Sequence, residues 1–230
     1  MLPVSGRMGY PIHPRMRDFD PKHRQGAHNS AAIPVLQGAG CGDFPKGRAV
    51  AARYIMLDRD GTLNVDVHYL SDPDDLCLEQ HAVAGLKALA GVGFRFVVLT
   101  NQSGIARGLL TPALLSDIHA RLDAILALEN IVIDGYFFCP HGPSDECMCR
   151  KPMPGLALEA SRTLGFDPSA SWMIGDKAAD IGLGQAVGAG TVLVRTGKGI
   201  VTEAEQSCRP DLVADHLLDA ARLILARESS

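Results

Sequence analysis

The sequence predicts an α/β fold, a parallel β-sheet with helices on both faces. Three observations carry this. Short runs such as Ile55–Leu57 and, apart from Arg95, Phe94–Leu99 are apolar at successive positions, as in strands buried on both faces. Segments with helical spacing separate the runs. Most of the runs end in a polar cluster, where open parallel sheets bind ligands.

Bulk composition narrows the class. With 230 residues, 47% hydrophobic and 21% charged, the chain reads as a soluble globular protein. No apolar run approaches the roughly 18 residues needed to span a bilayer, and the start has no apolar leader region. The expectation is a cytoplasmic protein with no membrane partner, acting as a monomer. A net charge of −4 argues against nucleic-acid binding driven by bulk charge. Charge is uneven, +4 over residues 1–52 and −8 over 53–230.

Residues 1–52 hold many Pro, Gly, Arg and His and show no regular period. Stretches such as Gly9–Pro14 and Gly38–Gly42 neither continue a helix nor bury area. They read as an irregular basic extension, either a tolerated tail (Met8 and Met16 are alternative starts) or a segment for a partner. One domain is expected over 53–230.

The first strand, Ile55–Leu57, ends on Asp58-Arg59-Asp60-Gly61-Thr62. Two carboxylates this close repel unless a cation lies between them or one is protonated. A divalent metal, an anionic substrate, or both would account for them, and so would an acidic surface turn. Val65–Gln80 is a polar, turn-rich loop with Asp66, His68 and Tyr69, long enough beside a strand end to be functional. His81–Gly91 places Val83, Leu86, Leu89 and Ala90 at helical spacing, with Gly91 and Gly93 as stops.

The second strand, Phe94–Leu99, leads into Thr100-Asn101-Gln102-Ser103. Thr111 and Pro112 start a helix lined by Leu114, Leu115, Ile118, Leu122 and Ile125. Ile131–Cys139 is a third strand, Pro154–Leu164 a helix stopped by Gly165, and Trp172–Gly175 a fourth strand ending at Asp176. A helix over Ala178–Val187, a strand over Thr191–Val194 and a helix over Leu212–Ala226 complete the domain.

Four polar clusters are chemically complementary: Asp58 with Asp60; Thr100 with Asn101; Arg150 with Lys151; and Asp176 with Lys177 and Asp180. Phosphoryl transfer needs these parts, namely a nucleophile, an acid for the leaving oxygen, a metal, and donors for the phosphoryl oxygens. No glycine-rich loop followed by Lys-Ser/Thr is present, which argues against a P-loop NTPase.

A second cluster is Cys139-x-His141, five residues, then Cys147-x-Cys149. Three cysteines and a histidine in so short a loop suit closed, structural, tetrahedral zinc. The metal would fold a loop too poor in apolar residues to fold alone. Cys41, Cys77 and Cys208 are isolated.

In order, Asp58-Arg59-Asp60-Gly61-Thr62, Thr100-Asn101, Lys151-Pro152 and Gly175-Asp176-Lys177-Ala178-Ala179-Asp180 resemble the four motifs of the haloacid dehalogenase superfamily of phosphatases. The resemblance covers about residues 53–200. It implies a Rossmann-like sheet and, with no large insertion, no large cap domain. It implies that Asp58 is the nucleophile, that Asp60 is the acid and then the base, and that Thr100 and Lys151 contact the phosphoryl group. Magnesium would be held by Asp58, Asp176 and the backbone carbonyl of Asp60, with Asp180 orienting Lys151 or the metal shell.

The zinc loop followed by Arg150-Lys151-Pro152 is similar to two branches of that superfamily, the heptose bisphosphate phosphatases and the histidinol-phosphate phosphatases. Thr100–Gly108, Lys151–Gly155 and Val194–Gly199 look like the first; the short spacing from His141 to Cys147 is shared with the second. The first branch implies removal of the 7-phosphate of D-glycero-D-manno-heptose 1,7-bisphosphate, towards nucleotide-activated heptose for lipopolysaccharide core. It also implies substrate contacts by Asp66, Val67, His68, Tyr69, Asn101, Gln102, Ser103, Arg150 and Lys177. Arg150, with its planar fork, is the candidate for the distal phosphate. A non-catalytic zinc-loop module using the basic extension on nucleic acid would need neither Asp58 nor Asp60.

Overall fold

A computed structural model describes residues 52–229; the expected basic extension before Ala52, and Cys41 with it, lies outside them. The strands are β1 Tyr54–Leu57, β2 Arg95–Asn101, β3 Ile133–Cys139, β4 Trp172–Gly175, β5 Gly190–Val194 and β6 Leu212–Ala214. They form one sheet in the order β3-β2-β1-β4-β5-β6, with every pairing parallel. The helices are α1 Ala82–Ala90, α2 Ser103–Ala106, α3 Pro112–Ala127, α4 Gly155–Leu164, α5 Ala178–Ala186, α6 Gly199–Glu205 and α7 Leu217–Glu228.

The period-2 geometry of β1 divides the core. Ile55 and Leu57 share one layer with Leu86 and Leu89 of α1, Ile118 and Leu122 of α3, and Leu217 and Ile224 of α7. Tyr54 and Met56 point to the other side, among Leu156 and Ala160 of α4 and Leu183 of α5. Both faces are covered, which is why these strands read as continuous apolar runs. Chain order reverses at β1, between β2 and β4. That reversal opens a crevice beyond the carboxyl ends of β1 and β4.

Local chemistry sets the ends of the elements. Thr111 Oγ1 accepts from the Leu114 amide at 3.1 Å, with Pro112 next to it in the first turn, so α3 starts where expected. Gly165 ends α4 in the left-handed region. On α1 the buried stripe is Ala82, Gly85, Leu86 and Leu89, whereas Ala90 is exposed and Val83 half-buried.

Three expectations are corrected. β2 runs past Leu99 through Thr100 and Asn101, which pair with Phe138 and Cys139. α2 and α6 are helices that the periodicity does not reveal, being only four and seven residues long. The helix expected over 212–226 begins at Leu217, because Leu212–Ala214 pairs with Val192–Val194 as β6. The open edge of β5 offers these residues backbone partners, and tertiary pairing overrides local spacing. His216 Nδ1 then accepts from the Asp219 amide at 3.3 Å and caps α7.

Candidate active site

The ends of β1, β2 and β4 and the residues after the cysteine loop converge. Asp58 follows β1 directly, its amide donating to Ile174 O at 3.0 Å. Lys151 Nζ, fully buried, donates to Asp58 Oδ1 at 2.7 Å and to Leu99 O at 2.6 Å, and lies 2.6 Å from Asp180 Oδ1. Burial opposes the ammonium charge, but Asp180 and Asp58 outweigh it and hold the Lys151 pKa above the usual range. Asn101 brackets the Lys151 backbone: its Oδ1 accepts from the Lys151 amide at 3.0 Å and its Nδ2 donates to Lys151 O at 3.1 Å.

Asp176 is 0% exposed. Its Oδ2 accepts from the Lys198 amide at 2.8 Å, while Oδ1 has no hydrogen-bond partner. Burial, then the nearby Asp58 charge, push its carboxyl up to about 7. Gly61 passes close beneath it: at φ +91°, a Cβ there would lie 2.4 Å from Asp176 Oδ2, so only glycine fits. The Lys177 ammonium lies 3.3 Å from Asp60 O, 3.5 Å from Asp176 Oδ1 and 4.0 Å from Asp58 Oδ2. Oxygens of the three expected magnesium ligands therefore face a common cationic centre, and Asp176 Oδ1, which has an ion pair with Lys177 but no hydrogen bond, suits a hard divalent ion.

Asp180 also belongs to this acidic group, its carboxylate lying within 4.8 Å of those of Asp58 and Asp176. Both its oxygens are engaged, Oδ1 with Lys151 and Oδ2 with the Lys177 amide at 3.0 Å. It holds Lys151 in place. Gly175 permits this approach, since a Cβ there would meet the Asp180 side chain at 2.3 Å.

Asp60 has a different environment. Arg59 donates to Asp60 Oδ1 from Nε (3.1 Å) and Nη2 (2.9 Å), and to Oδ2 from Nη2 (2.7 Å). Asn64 Nδ2 donates to Oδ1 and Gln102 Nε2 to Oδ2, each at 2.9 Å. Burial works against ionisation, but Arg59 and these donors outweigh it and hold the carboxyl below the usual range. Arg59, Asn64 and His119, which stands behind Arg59, are residues that sequence reasoning passed over. The available signal was a charged residue between two strand-end acids, and a histidine on the buried stripe of α3.

A cavity of about 210 Å³ is lined by Asp58, Asp60, Thr100, Arg150, Lys151 and Lys177, together with Asn101, Ala179 and Asp180. Of the other residues expected at substrate, Asp66 lies 3.4 Å from Lys177 Nζ. Val67 is exposed, and the His68 and Tyr69 rings meet edge-on at 4.5 Å. Gln102 is turned inwards, its Nε2 also donating to Thr100 Oγ1 at 2.9 Å. Ser103 opens α2. Asp66, Val67, His68, Tyr69, Gln102 and Ser103 do not line the cavity.

Cys139, His141, Cys147 and Cys149 form a second cluster, all ligand atoms within 4.8 Å of one another. Cys139 Sγ lies 3.8 Å from Cys147 Sγ and 3.2 Å from Cys149 Sγ, and His141 Nδ1 lies 3.2 Å from Cys149 Sγ. Tetrahedral zinc with bonds of about 2.3 Å sets sulfur atoms about 3.8 Å apart. The Cys139–Cys147 pair has that spacing, the Cys139–Cys149 pair is closer, and the three-cysteine, one-histidine donor set is of the type that holds structural zinc. Arg150 Nη1 donates to His141 O at 3.1 Å, tying this cluster to the cavity wall.

Comparison with known proteins gives consistent relatives. A family model described as HAD-hydrolase-like matches residues 148–220. The chain is 41% identical over 181 residues to a D-glycero-beta-D-manno-heptose-1,7-bisphosphate 7-phosphatase of Yersinia pestis, covering 75% of this chain and 95% of the relative. Identity to the enzyme of that name from Escherichia coli K12 is 42% over 178 residues, covering 74% of this chain and 92% of the relative. A crystal structure of D,D-heptose 1,7-bisphosphate phosphatase from B. bronchiseptica, complexed with magnesium and phosphate, superposes with a TM-score of 0.69 at 34% identity. It covers 76% of this chain and 99% of that one.

Proposed function

Because the chain belongs to the haloacid dehalogenase-like phosphatases, in the branch of the heptose bisphosphate phosphatases, we propose that it hydrolyses the 7-phosphate of D-glycero-D-manno-heptose 1,7-bisphosphate. The product would enter the supply of nucleotide-activated heptose for lipopolysaccharide core. Relatives at 41–42% identity carry the heptose name, which favours this substrate over histidinol phosphate.

The observation that carries the mechanism is the unequal surroundings of two carboxylates two residues apart. Asp58 accepts from the buried Lys151 ammonium at 2.7 Å, which fixes the direction of its carboxylate as a nucleophile. A carboxylate oxygen of Asp58 attacks phosphorus, the bond to the sugar oxygen breaks, and an aspartyl-phosphate forms. Arg59 and its fellow donors hold the Asp60 carboxyl below the usual range, so Asp60 takes up a proton as the anionic phosphate monoester enters and gives that proton to the departing oxygen. It then takes a proton from the water that hydrolyses the intermediate, so one residue serves as acid and base. Lys151 and Thr100 donate to the phosphoryl oxygens. Magnesium, held by Asp58, Asp176 and the Asp60 carbonyl, would supply positive charge that offsets the carboxylates and lets the anionic phosphate approach.

Lys177 and Arg150 add positive charge at the cavity wall, and Arg150 is the side chain we assign to the second phosphate. Zinc in the Cys139, His141, Cys147 and Cys149 cluster is structural in this reading, since all four positions are filled by protein. No helix among the described residues is long and apolar enough to cross a membrane.

Phosphate release from the heptose bisphosphate and from histidinol phosphate, measured side by side with magnesium, tests the assignment. The heptose bisphosphate should have the higher kcat/KM, and Asp58→Asn should abolish turnover while the fold is kept. A preference for histidinol phosphate would overturn the substrate, and full activity in Asp58→Asn the mechanism.

A further inference from the structure

Arg59 and His119 take no part in the chemistry just described, yet both are buried where a core would not choose them. Arg59 is 1% exposed, the largest of the fully buried side chains. A guanidinium there is tolerable only if its donors are matched, since burial of the charge costs several kcal/mol otherwise. Its Nε and Nη2 grip both oxygens of Asp60. Its outer edge, Nη1, faces His119 Nε2 at 3.4 Å. For Nη1 to donate there, the imidazole must be neutral with its proton on Nδ1. Burial, and then the Arg59 charge, hold the His119 pKa down to about 3, which keeps the ring neutral.

His119 is itself fixed. Its ring stacks on Tyr136 at 4.2 Å with 14° between planes. Tyr136 Oη in turn donates to Asp123 Oδ1 at 2.6 Å, and Asp123 lies one turn beyond His119 on α3. A connected path therefore runs from α3, through a stacked ring and a guanidinium, to the carboxyl of Asp60.

We propose that His119 is a positioning residue which, acting through Arg59, fixes the orientation in which Asp60 meets the leaving-group oxygen. The inference rests on the reading of Asp60 as proton donor. Proton transfer needs hydrogen-bond distance and alignment, and an aspartate carboxyl turns about two torsions. The two-oxygen grip of Arg59 couples those torsions to the guanidinium plane, and His119 holds the guanidinium's free edge. Without that acceptor, Nη1 is a buried donor lacking a partner. The guanidinium then turns towards another acceptor and takes Asp60 with it.

A role in stability alone would slow all substrates alike; a role in aligning the acid would not. The test compares kcat/KM on heptose 1,7-bisphosphate, whose alkoxide must be protonated as the P–O bond breaks, with p-nitrophenyl phosphate, whose phenolate leaves unprotonated. His119→Phe keeps the ring and its stack but has no acceptor. The ratio of sugar to aryl rates should fall about tenfold, part of the 10²–10⁴ that a general acid contributes. His119→Gln restores an acceptor and should recover the ratio to within about threefold. Equal loss on both substrates, or an unchanged ratio, overturns the proposal. Asp60→Asn, run alongside, separates the layers. If it leaves the ratio intact, the role of Asp60 fails and the proposal with it. If it lowers the ratio while His119→Phe does not, the positioning role alone is overturned. Should His119→Phe fail to fold, His119→Leu fills most of the same volume without an acceptor and gives the same comparison.

Discussion

His119 also carries a pH dependence that can be separated from that of every other group. Its ordinary value is 6.5, and in the fold it is held down to about 3, by burial first and then by Arg59. Below pH 6.5 the unfolded chain binds a proton on this ring that the folded chain refuses. Stability from this residue is thus complete above pH 6.5 and is lost as pH falls from there towards about 3, at up to about 1.4 kcal/mol per unit. Carboxylates titrate in the same window, so the difference between wild type and His119→Gln is the useful quantity. Between pH 7 and pH 5 the wild-type advantage in urea unfolding should shrink by about 2 kcal/mol. Parallel pH curves would mean that the ring protonates freely in the fold. Asp58 and Asp176 were legible in the sequence because a charge at the end of an apolar run has no core role to play, and Lys151 because it stands in a Lys-Pro pair at the exit of the cysteine loop. Arg59 and His119 were not, because their partnership depends on which face of α3 meets the end of β1. That contact spans sixty residues of sequence, and no local pattern encodes it.

At the scale of the element, the loop between β3 and α4 links structure to chemistry. It starts at Cys139, on the last residue of β3, and ends at Arg150 and Lys151, both on the cavity wall. Between them only short turns appear, such as Gly142 N donating to Asp145 Oδ2 at 2.7 Å. Few apolar side chains anchor this segment, and Met148 is exposed. Four ligands on one ion would supply the missing constraint. Purified protein should carry about one zinc per chain by elemental analysis. Stripping it with a chelator, or Cys149→Ser, should leave the helical circular dichroism nearly unchanged while lowering kcat/KM at least tenfold, in the range of about 10–100-fold seen when metal-site support is lost. Absence of zinc, or full activity after stripping, would remove the structural-metal assignment. This loop could be read from sequence because its ligands are close in the chain. β6 could not, because Leu212–Ala214 becomes a strand only through the open edge of β5, an influence from outside its own residues.

For the whole molecule, the sheet order decides where chemistry is possible. Strands β2 and β3 lie to one side of β1, and β4, β5 and β6 to the other. Thr100 and Asn101 therefore approach from one side, and Asp176 and Lys177 from the other, with Asp58 between them. The alternation of apolar runs and helical segments made the parallel sheet predictable; strand order was not, since spacing along the chain does not say which edge a strand joins. Among the described residues, the cavity lining, both core layers and the cysteine cluster form one connected unit. The amino end of this unit is tied down inside it: Arg95 N donates to Arg53 O at 3.0 Å, and Arg53 pairs with Glu228 at 2.6 Å. That closure predicts the result of a truncation. A chain starting at Ala51 should retain the magnesium-dependent kcat/KM of the full chain within about twofold. Its melting temperature should match within about 2 °C, a shift worth about 0.5–1 kcal/mol for a unit of this size. A large loss of kcat/KM with unchanged melting would instead assign part of the substrate site to residues 1–50. A large loss of stability would place part of the fold there.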